Sequence, residues 1–190
     1  MNIFADATDA AIGTFRSLSI LEPTVERVAE VVGRCVSAGG RLLVCGNGGS
    51  AADGADFATE FACRFVQDRE PYSALNLTAC GSLLTAIGND YGFEQTFARQ
   101  VRAFGRRGDV LVAITTSGNS ANIVAALREA RAQGLDSVAL LGRDGGEARG
   151  IATLELVVPG TATARIQEAH KFLLHVICEM VEARWLPPGT

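Results

Sequence analysis

The chain has 190 residues, of which 48% are hydrophobic and 20% are charged, and its formal net charge is −4 at pH 7. This composition excludes a disordered chain and is typical of one compact globular domain. The absence of a Lys/Arg cluster argues against nucleic-acid binding, so any bound anion must be held by local donors. No apolar run reaches the roughly 18 residues of a membrane span. The acidic start, MNIFADATDAAIGTF, is unlike a secretory signal.

The five cysteines are odd in number, form no CxxC pair and lie mostly inside apolar runs. They indicate reduced core thiols and not a disulfide or zinc framework. We therefore expect a cytoplasmic protein.

Two helices are predicted before the first strand. Apolar residues at helical spacing predict an amphipathic helix over residues 3–20. Pro23 at a first-turn position, followed by a series of valines, predicts a second helix that stops at Gly39 and Gly40. Neither helix completes a sheet topology, so one hypothesis is that both pack against another subunit.

Short apolar runs then alternate with helical segments. This alternation predicts an α/β fold in which a five-stranded parallel sheet carries helices on both faces, a three-layer sandwich. The whole chain, 1–190, is then one domain, with leading helices over 1–40 and the α/β core and last helix over 41–190. The strands are predicted at 42–45, 74–77, 109–115, 137–141 and 152–158. The later helices are predicted at 83–88, 93–104, 123–133 and 163–185, and Pro187 and Pro188 end the last one. A polar turn is predicted at 89–92 and a Gly-rich loop at 142–150.

The sequence GNGGS, residues 46–50, joins the first strand to an Ala-rich helical run. Glycine tolerates positive φ and lets a ligand approach the backbone. The unpaired N–H groups of a helix start, together with the helix dipole, favour an anion such as phosphate. Such turns also occur as plain connections, and this one matches neither the Walker nor the GxGxxG pattern. We expect no nucleotide cofactor.

A second turn, TTSGNS, places the hydroxyls of Thr115, Thr116, Ser117 and Ser120 at one helix start. Where no lysine is at hand, these donors suit a phosphate monoester. The alternative is simple N-capping by Ser120 or Asn119, which would use one side chain. Both turns follow the carboxyl ends of strands, where ligands bind in such sheets, so we expect them to face one crevice.

Carboxylates and histidines supply the candidate acid–base groups. Asp53, Asp56 and Glu60 share one helix face. Such a row is normally solvated, but this one starts at the crevice among alanines and phenylalanines, which makes Glu60 a candidate general base. His170 and His175 are about 140° apart on one helix and cannot face the same site. His175 lies in the apolar stretch LLHVIC, eight residues after Gln167.

Read together, GNGGS, GNDYGF, TTSGNS and RIQEAH followed by His175 resemble the sedoheptulose-7-phosphate isomerase, or phosphoheptose isomerase, family of sugar-isomerase (SIS) domains. The resemblance covers essentially the whole chain. It implies a single SIS domain, a homotetramer with active sites between subunits, and conversion of D-sedoheptulose 7-phosphate to D-glycero-D-manno-heptose 7-phosphate. It also implies Glu60 as catalytic base and His175 as catalytic acid. The substrate-binding residues that it implies are Asn47, Gly48, Gly49, Ser50, Glu60, Asn89, Asp90, Thr115, Thr116, Ser117, Ser120 and Gln167.

The resemblance also bears on a metal. Moving a carbonyl from C2 to C1 through an enediol needs a carboxylate base, an acid, and a cation or donors for the developing charge. In zinc-bound members, the histidine found where this chain has Asp56 joins the glutamate and the final-helix histidine as ligands. Aspartate can ligate zinc through oxygen, so Asp56, Glu60 and His175 are the corresponding set for Zn²⁺. The alternative is that Asp56 signals a changed substrate.

Two other classes of SIS-fold protein share parts of this pattern. Non-catalytic SIS-fold relatives that bind the bacterial replication initiator resemble the chain over the same length but lack the glutamate at the position of Glu60. The presence of Glu60 and His175 therefore favours an enzyme. A sugar-phosphate-sensing regulator usually carries an added DNA-binding domain, and no such segment occurs here. An isomerase for another phosphosugar stays open.

Overall fold

The structure, a computed structural model, describes residues 2–186. Pro187 and Pro188, predicted to end the last helix, lie outside the described residues. The strands are β1 (Leu42–Gly46), β2 (Ala74–Asn76), β3 (Val110–Thr115), β4 (Asp136–Gly142) and β5 (Leu154–Val158). The helices are α1 (Ile3–Ser17), α2 (Glu22–Ser37), α3 (Gly49–Ala62), α4 (Gly81–Tyr91), α5 (Ala98–Phe104), α6 (Ala121–Gln133) and α7 (Thr163–Trp185), with short 3-10 turns at Leu18–Leu21, Phe93–Gln95 and Gly146–Ala148.

The five strands form one parallel sheet in the order β2-β1-β3-β4-β5. β1 pairs with β3 in the centre, from Leu42 opposite Val110 to Gly46 opposite Ile114. The predicted fold class is therefore confirmed. Because β1 and β3 are parallel neighbours, the turns that follow them leave the same edge of the sheet side by side.

Alternation along the strands builds a separate core on each face of the sheet, because successive side chains of a strand point in opposite directions. On one face, Leu42 and Val44 pack among residues of α2, α3 and α7. On the other, Leu43 and Cys45 pack among residues of α5 and α6. α3 and α7 lie on the same face of the sheet and contact one another, which is the contact that builds the candidate site.

The two leading helices differ in their burial. α2 places a strip of small apolar side chains, including Val28, Ala29 and Val32, against the core. α1 has no buried residue among those described. Its apolar side chains are exposed, Phe4 to 83%, and it touches α7 through the ring pair Phe15 and Phe172. No helix within residues 2–186 is long and apolar enough to cross a membrane.

Several predicted boundaries were wrong. The helix predicted over 3–20 ends at Ser17, and a 3-10 turn at Leu18–Leu21 follows it. The polar turn at 89–92 is instead the last turn of α4, which continues to Tyr91 and ends at Gly92 with φ +89°. The helix predicted over 93–104 is a 3-10 turn followed by α5. The fifth strand starts at Leu154 and not at 152, because Thr153 and Ser137 exchange side-chain-to-backbone hydrogen bonds in place of a strand ladder.

Candidate active site

The turn after β1 needs glycine at two positions. A Cβ on Gly46 would lie 2.5 Å from the backbone oxygen of Ser50, and Gly48 has φ +54°. Both features exclude ordinary side chains. The turn leaves Gly48 and Gly49 exposed at the start of α3, whereas Ser50 is buried in its first turn.

The two predicted turns are joined by a pair of asparagines. Asn47 donates to the side-chain oxygen of Asn122, and Asn122 donates back to that of Asn47, each at 2.9 Å. Asn122 is buried in the first turn of α6. It was not among the predicted site residues, although it lies only two residues after the TTSGNS turn. This contact holds the first turn against the start of α6, while the shared crevice of the two turns stays a prediction.

Three hydroxyls converge in the turn after β3. The Oγ1 of Thr115 lies 3.1 Å from the Oγ of Ser120 and 3.4 Å from the Oγ of Ser117. Ser120 occupies the N-cap position of α6, but its side chain makes no capping hydrogen bond. The side-chain oxygen of Asn119 accepts from the backbone of Glu147 instead. The N-capping alternative therefore does not explain these side chains, and the half-buried Thr116 lies beside them.

Two rows of polar side chains face each other across α3 and α7. Asp53, Asp56 and Glu60 form the row on α3. Gln167, Lys171 and His175, spaced four residues apart, share one face of α7. The Gln167 amide lies directly over Gly49, with its oxygen 2.5 Å from where a Cβ would stand. Asp53, Gln167 and Lys171 line a cavity of about 410 Å³ at this junction.

Charge in the α3 row is only partly balanced. Lys171 pairs with Asp56 and lies 4.0 Å from Asp53. Asp53 is 8% exposed, and its Oδ2 has no hydrogen-bond partner among the described residues. Burial raises the pKa of the Asp53 carboxyl, while Gln167 and Lys171 act to lower it. Asp53 therefore presents an unsatisfied oxygen beside the cavity.

The proposed acid and base lie further along the same two helices. Glu60 is half-buried, and its backbone carbonyl accepts from Arg69 at 2.5 Å. Within residues 2–186, no hydrogen bond or ion pair engages its carboxylate. The half-buried His175 ring lies 5.5 Å from the ring of Phe65. His170 faces elsewhere: its Nε2 contacts the carbonyl of Leu141 at 3.0 Å, and burial lowers its pKa to about 4.

Two predicted residues are not joined to the rest in the single chain. Asn89 and Asp90 lie exposed in the last turn of α4, where the Asn89 amide donates to the Asp90 carboxylate at 2.8 Å. No hydrogen bond within the described part of the chain connects either residue to the two turns or to the α3 and α7 rows.

The residues suggested as zinc ligands do not fit a metal site in one chain. The Asp56 carboxylate is already paired with the Lys171 ammonium. Nowhere in residues 2–186 do three His, Cys, Asp or Glu side chains gather closely enough to hold a metal ion. The donor set around Asp56 is therefore unlike the closed or three-ligand sets that zinc uses.

Known proteins resemble this chain in sequence and structure. The model of the SIS domain family matches residues 10–142. The phosphoheptose isomerase of Citrifermentans bemidjiense is 49% identical over 89% of this chain and 88% of its own length. The chain belongs to the phosphoheptose isomerase family. A solved phosphoheptose isomerase structure from Neisseria gonorrhoeae, 44% identical, has a TM-score of 0.88 over 95% of this chain and 97% of its own, and one from Francisella tularensis, 34% identical, has 0.93 over 96% and 98%.

Membership of the phosphoheptose isomerase family confirms the predicted SIS fold and the prediction of an isomerase. The non-catalytic reading is set aside, because these relatives are named as enzymes and match nearly their whole length. Membership of the family does not say which residues of this chain bind the phosphate, transfer the proton and stabilise the developing charge.

Proposed function

We propose that this isomerase converts D-sedoheptulose 7-phosphate to D-glycero-D-manno-heptose 7-phosphate. The observation that carries the proposal is the hydroxyl cluster of Thr115, Ser117 and Ser120 at the start of α6, which no capping bond explains. Neutral hydroxyls and the positive end of a helix dipole suit the dianionic end of a sugar phosphate. The choice of a heptose as the sugar is based on the name of the family, phosphoheptose isomerase.

The sugar lies between the phosphate cluster and the α3 and α7 rows in this proposal. Asn47, held by Asn122, and the exposed glycines 48 and 49 line one side of it. Gln167 lies over Gly49 and offers an amide to the sugar hydroxyls. Asn89 and Asp90 act from the end of α4. In the proposed homotetramer, with active sites between subunits, these two residues serve the site of another subunit.

Glu60 and His175 carry the proton transfers. Glu60 removes a proton from C1 of the ketose, which leaves an enediol across C1 and C2, and returns the proton to C2 to form the aldose. His175 gives a proton to the oxygen at C2 and accepts one from the oxygen at C1, so the protons balance. The unengaged Glu60 carboxylate suits this exchange. No step of this scheme uses a metal ion at Asp56, Glu60 and His175.

The proposed assembly and location have separate support. The exposed face of α1, with Ile3 75% and Phe4 83% exposed, suits burial against other subunits. Native mass spectrometry of the intact protein should give the mass of four chains. All five cysteines are free thiols, which suits the reducing cytoplasm.

The reaction is tested by following sedoheptulose 7-phosphate in D₂O with NMR. Proton transfer through a carboxylate that exchanges with solvent predicts a heptose 7-phosphate product carrying deuterium at C2. A product without deuterium would contradict proton exchange between the carboxylate and the solvent. No product from the folded protein would remove the heptose assignment and favour another phosphosugar.

A further inference from the structure

Lys171 is the only lysine in the chain, since every other residue among the 17 Lys and Arg is arginine. It stands one helical turn after Gln167 and one before His175 on the same face of α7. Its side chain is 28% exposed and lines the cavity of about 410 Å³ that Asp53 and Gln167 also line. The single lysine therefore lies in the middle of the candidate catalytic row.

The contacts of Lys171 are with carboxylates of the facing row. It pairs directly with Asp56, and its Nζ lies 4.0 Å from the Oδ1 of Asp53. One cation thus stands against two carboxylates, one of them buried with an unpartnered oxygen. Two anions hold the ammonium at the mouth of the cavity, where it remains partly exposed to a ligand.

This arrangement conflicts with a metal ion at the same place. A zinc ion at Asp56 would have to displace the ammonium or stand beside it, and like charges repel strongly at such distances. The described residues also gather no three-ligand group that would offset that cost. Aspartate at position 56 and lysine at position 171 are instead complementary to each other.

We propose that the Lys171 ammonium is the cation of this active site and takes the place of a metal ion. This proposal rests on the proposed isomerase reaction. The ammonium contacts the oxygens at C1 and C2 and stabilises the negative charge that develops on the enediolate. A compact ammonium on a flexible stem is a point charge, as a metal ion is, whereas a guanidinium is a planar fork. Asp56 and Asp53 are positioning residues that hold the ammonium toward the cavity.

The first test uses zinc content, which does not depend on turnover. Wild type, Lys171→Met and Asp56→His/Lys171→Met are incubated with zinc chloride and desalted, and their bound metal is measured. We expect less than 0.1 zinc per chain in wild type and a clear gain in the double variant, which removes the ammonium and supplies a nitrogen ligand. About one zinc per wild-type chain would overturn the proposal.

The second test uses turnover with and without EDTA. Lys171→Met should lose about 100-fold in kcat. Lys171→Arg should lose less than Lys171→Met because it keeps the charge, and wild type should be unaffected by EDTA. Full activity of Lys171→Met, or loss of wild-type activity in EDTA, would overturn the proposal. Absence of wild-type turnover would instead remove the proposed substrate, and the zinc contents would still decide between ammonium and metal.

Because the chain has one lysine, the side chain can also be probed without mutation. Acetylation with an amine-specific reagent should modify Lys171, and sedoheptulose 7-phosphate should slow that modification, as measured by the mass of its peptide. Equal rates with and without the sugar phosphate would show that Lys171 does not contact it. Trapping of a sugar on Lys171 by borohydride would also overturn the proposal, because the side chain would then act as a nucleophile.

Discussion

Gly49→Ala separates the fold of α3 from the placement of Gln167. A Cβ at Gly49 would lie 2.5 Å from the side-chain oxygen and 2.6 Å from the Cδ of Gln167. Ordinary contacts between such atoms are about 3.5 Å. The Gln167 amide must therefore move by about 1 Å. The backbone conformation at Gly49 tolerates alanine, because Gly49 is the first residue of a helix and alanine is favoured in helices.

Gly49→Ala should affect stability and activity in opposite directions. Alanine in a helix stabilises the fold by at most about 1 kcal/mol relative to glycine, and a flexible amide can move aside at small cost. A misplacement of about 1 Å in a substrate-positioning group can reduce activity by about 100-fold, which corresponds to about 2.7 kcal/mol in the transition state. We therefore predict a variant as stable as wild type with kcat/KM about 100-fold lower.

Gly81→Ala is the matched control, because Gly81 is the first residue of α4 and a Cβ there meets nothing within 4 Å. Thermal unfolding and kcat/KM for sedoheptulose 7-phosphate are measured for both variants. The control should keep wild-type activity. If Gly49→Ala is folded and keeps kcat/KM within about threefold of wild type, the placement of Gln167 on the substrate is refuted.

Three further predictions concern single residues. Wild type should lose up to about 3 kcal/mol of stability as the pH falls from about 6.5 to about 4, because His170 becomes protonated in the unfolded chain while the fold keeps it neutral. The free energy of urea unfolding of His170→Asn should lack this contribution to the pH dependence. Glu182→Gln should destabilise by about 3 to 5 kcal/mol, since Glu182 is the buried partner of Arg69, whereas the exposed Glu179→Gln should not. Ser120→Ala should weaken inhibition by inorganic phosphate about tenfold, the value of one hydrogen bond to a charged group; unchanged inhibition would place the phosphate elsewhere.

Much of the fold follows from local pattern. The helix predicted over 163–185 has the same bounds as α7, because its apolar residues recur at helical spacing over six turns and two prolines follow them. The strands were predicted within about two residues for the same reason. The end of α4 was missed because Asn89 and Asp90 look like turn residues, while the helix bond from Gly92 to Gly88 continues past them.

The site was predictable only in part, because some of its contacts depend on how elements pack. The spacing of Gln167 and His175 is a property of one helix and could be read from the sequence. The pairs Asn47 with Asn122 and Asp56 with Lys171 join residues 75 and 115 positions apart. Nothing local in either partner indicates the other. Asn122 lies two residues after the TTSGNS turn, but only the packing of the two turns shows that its partner is Asn47.

The central claim is that Glu60 moves the proton, and the most direct measurement is turnover of sedoheptulose 7-phosphate by Glu60→Gln beside wild type. Glutamine keeps the shape of the side chain but cannot accept a proton from carbon. We predict that the variant unfolds at the wild-type temperature and loses about 100- to 10,000-fold in kcat. A folded Glu60→Gln protein that isomerises the sugar at the wild-type rate would contradict the account.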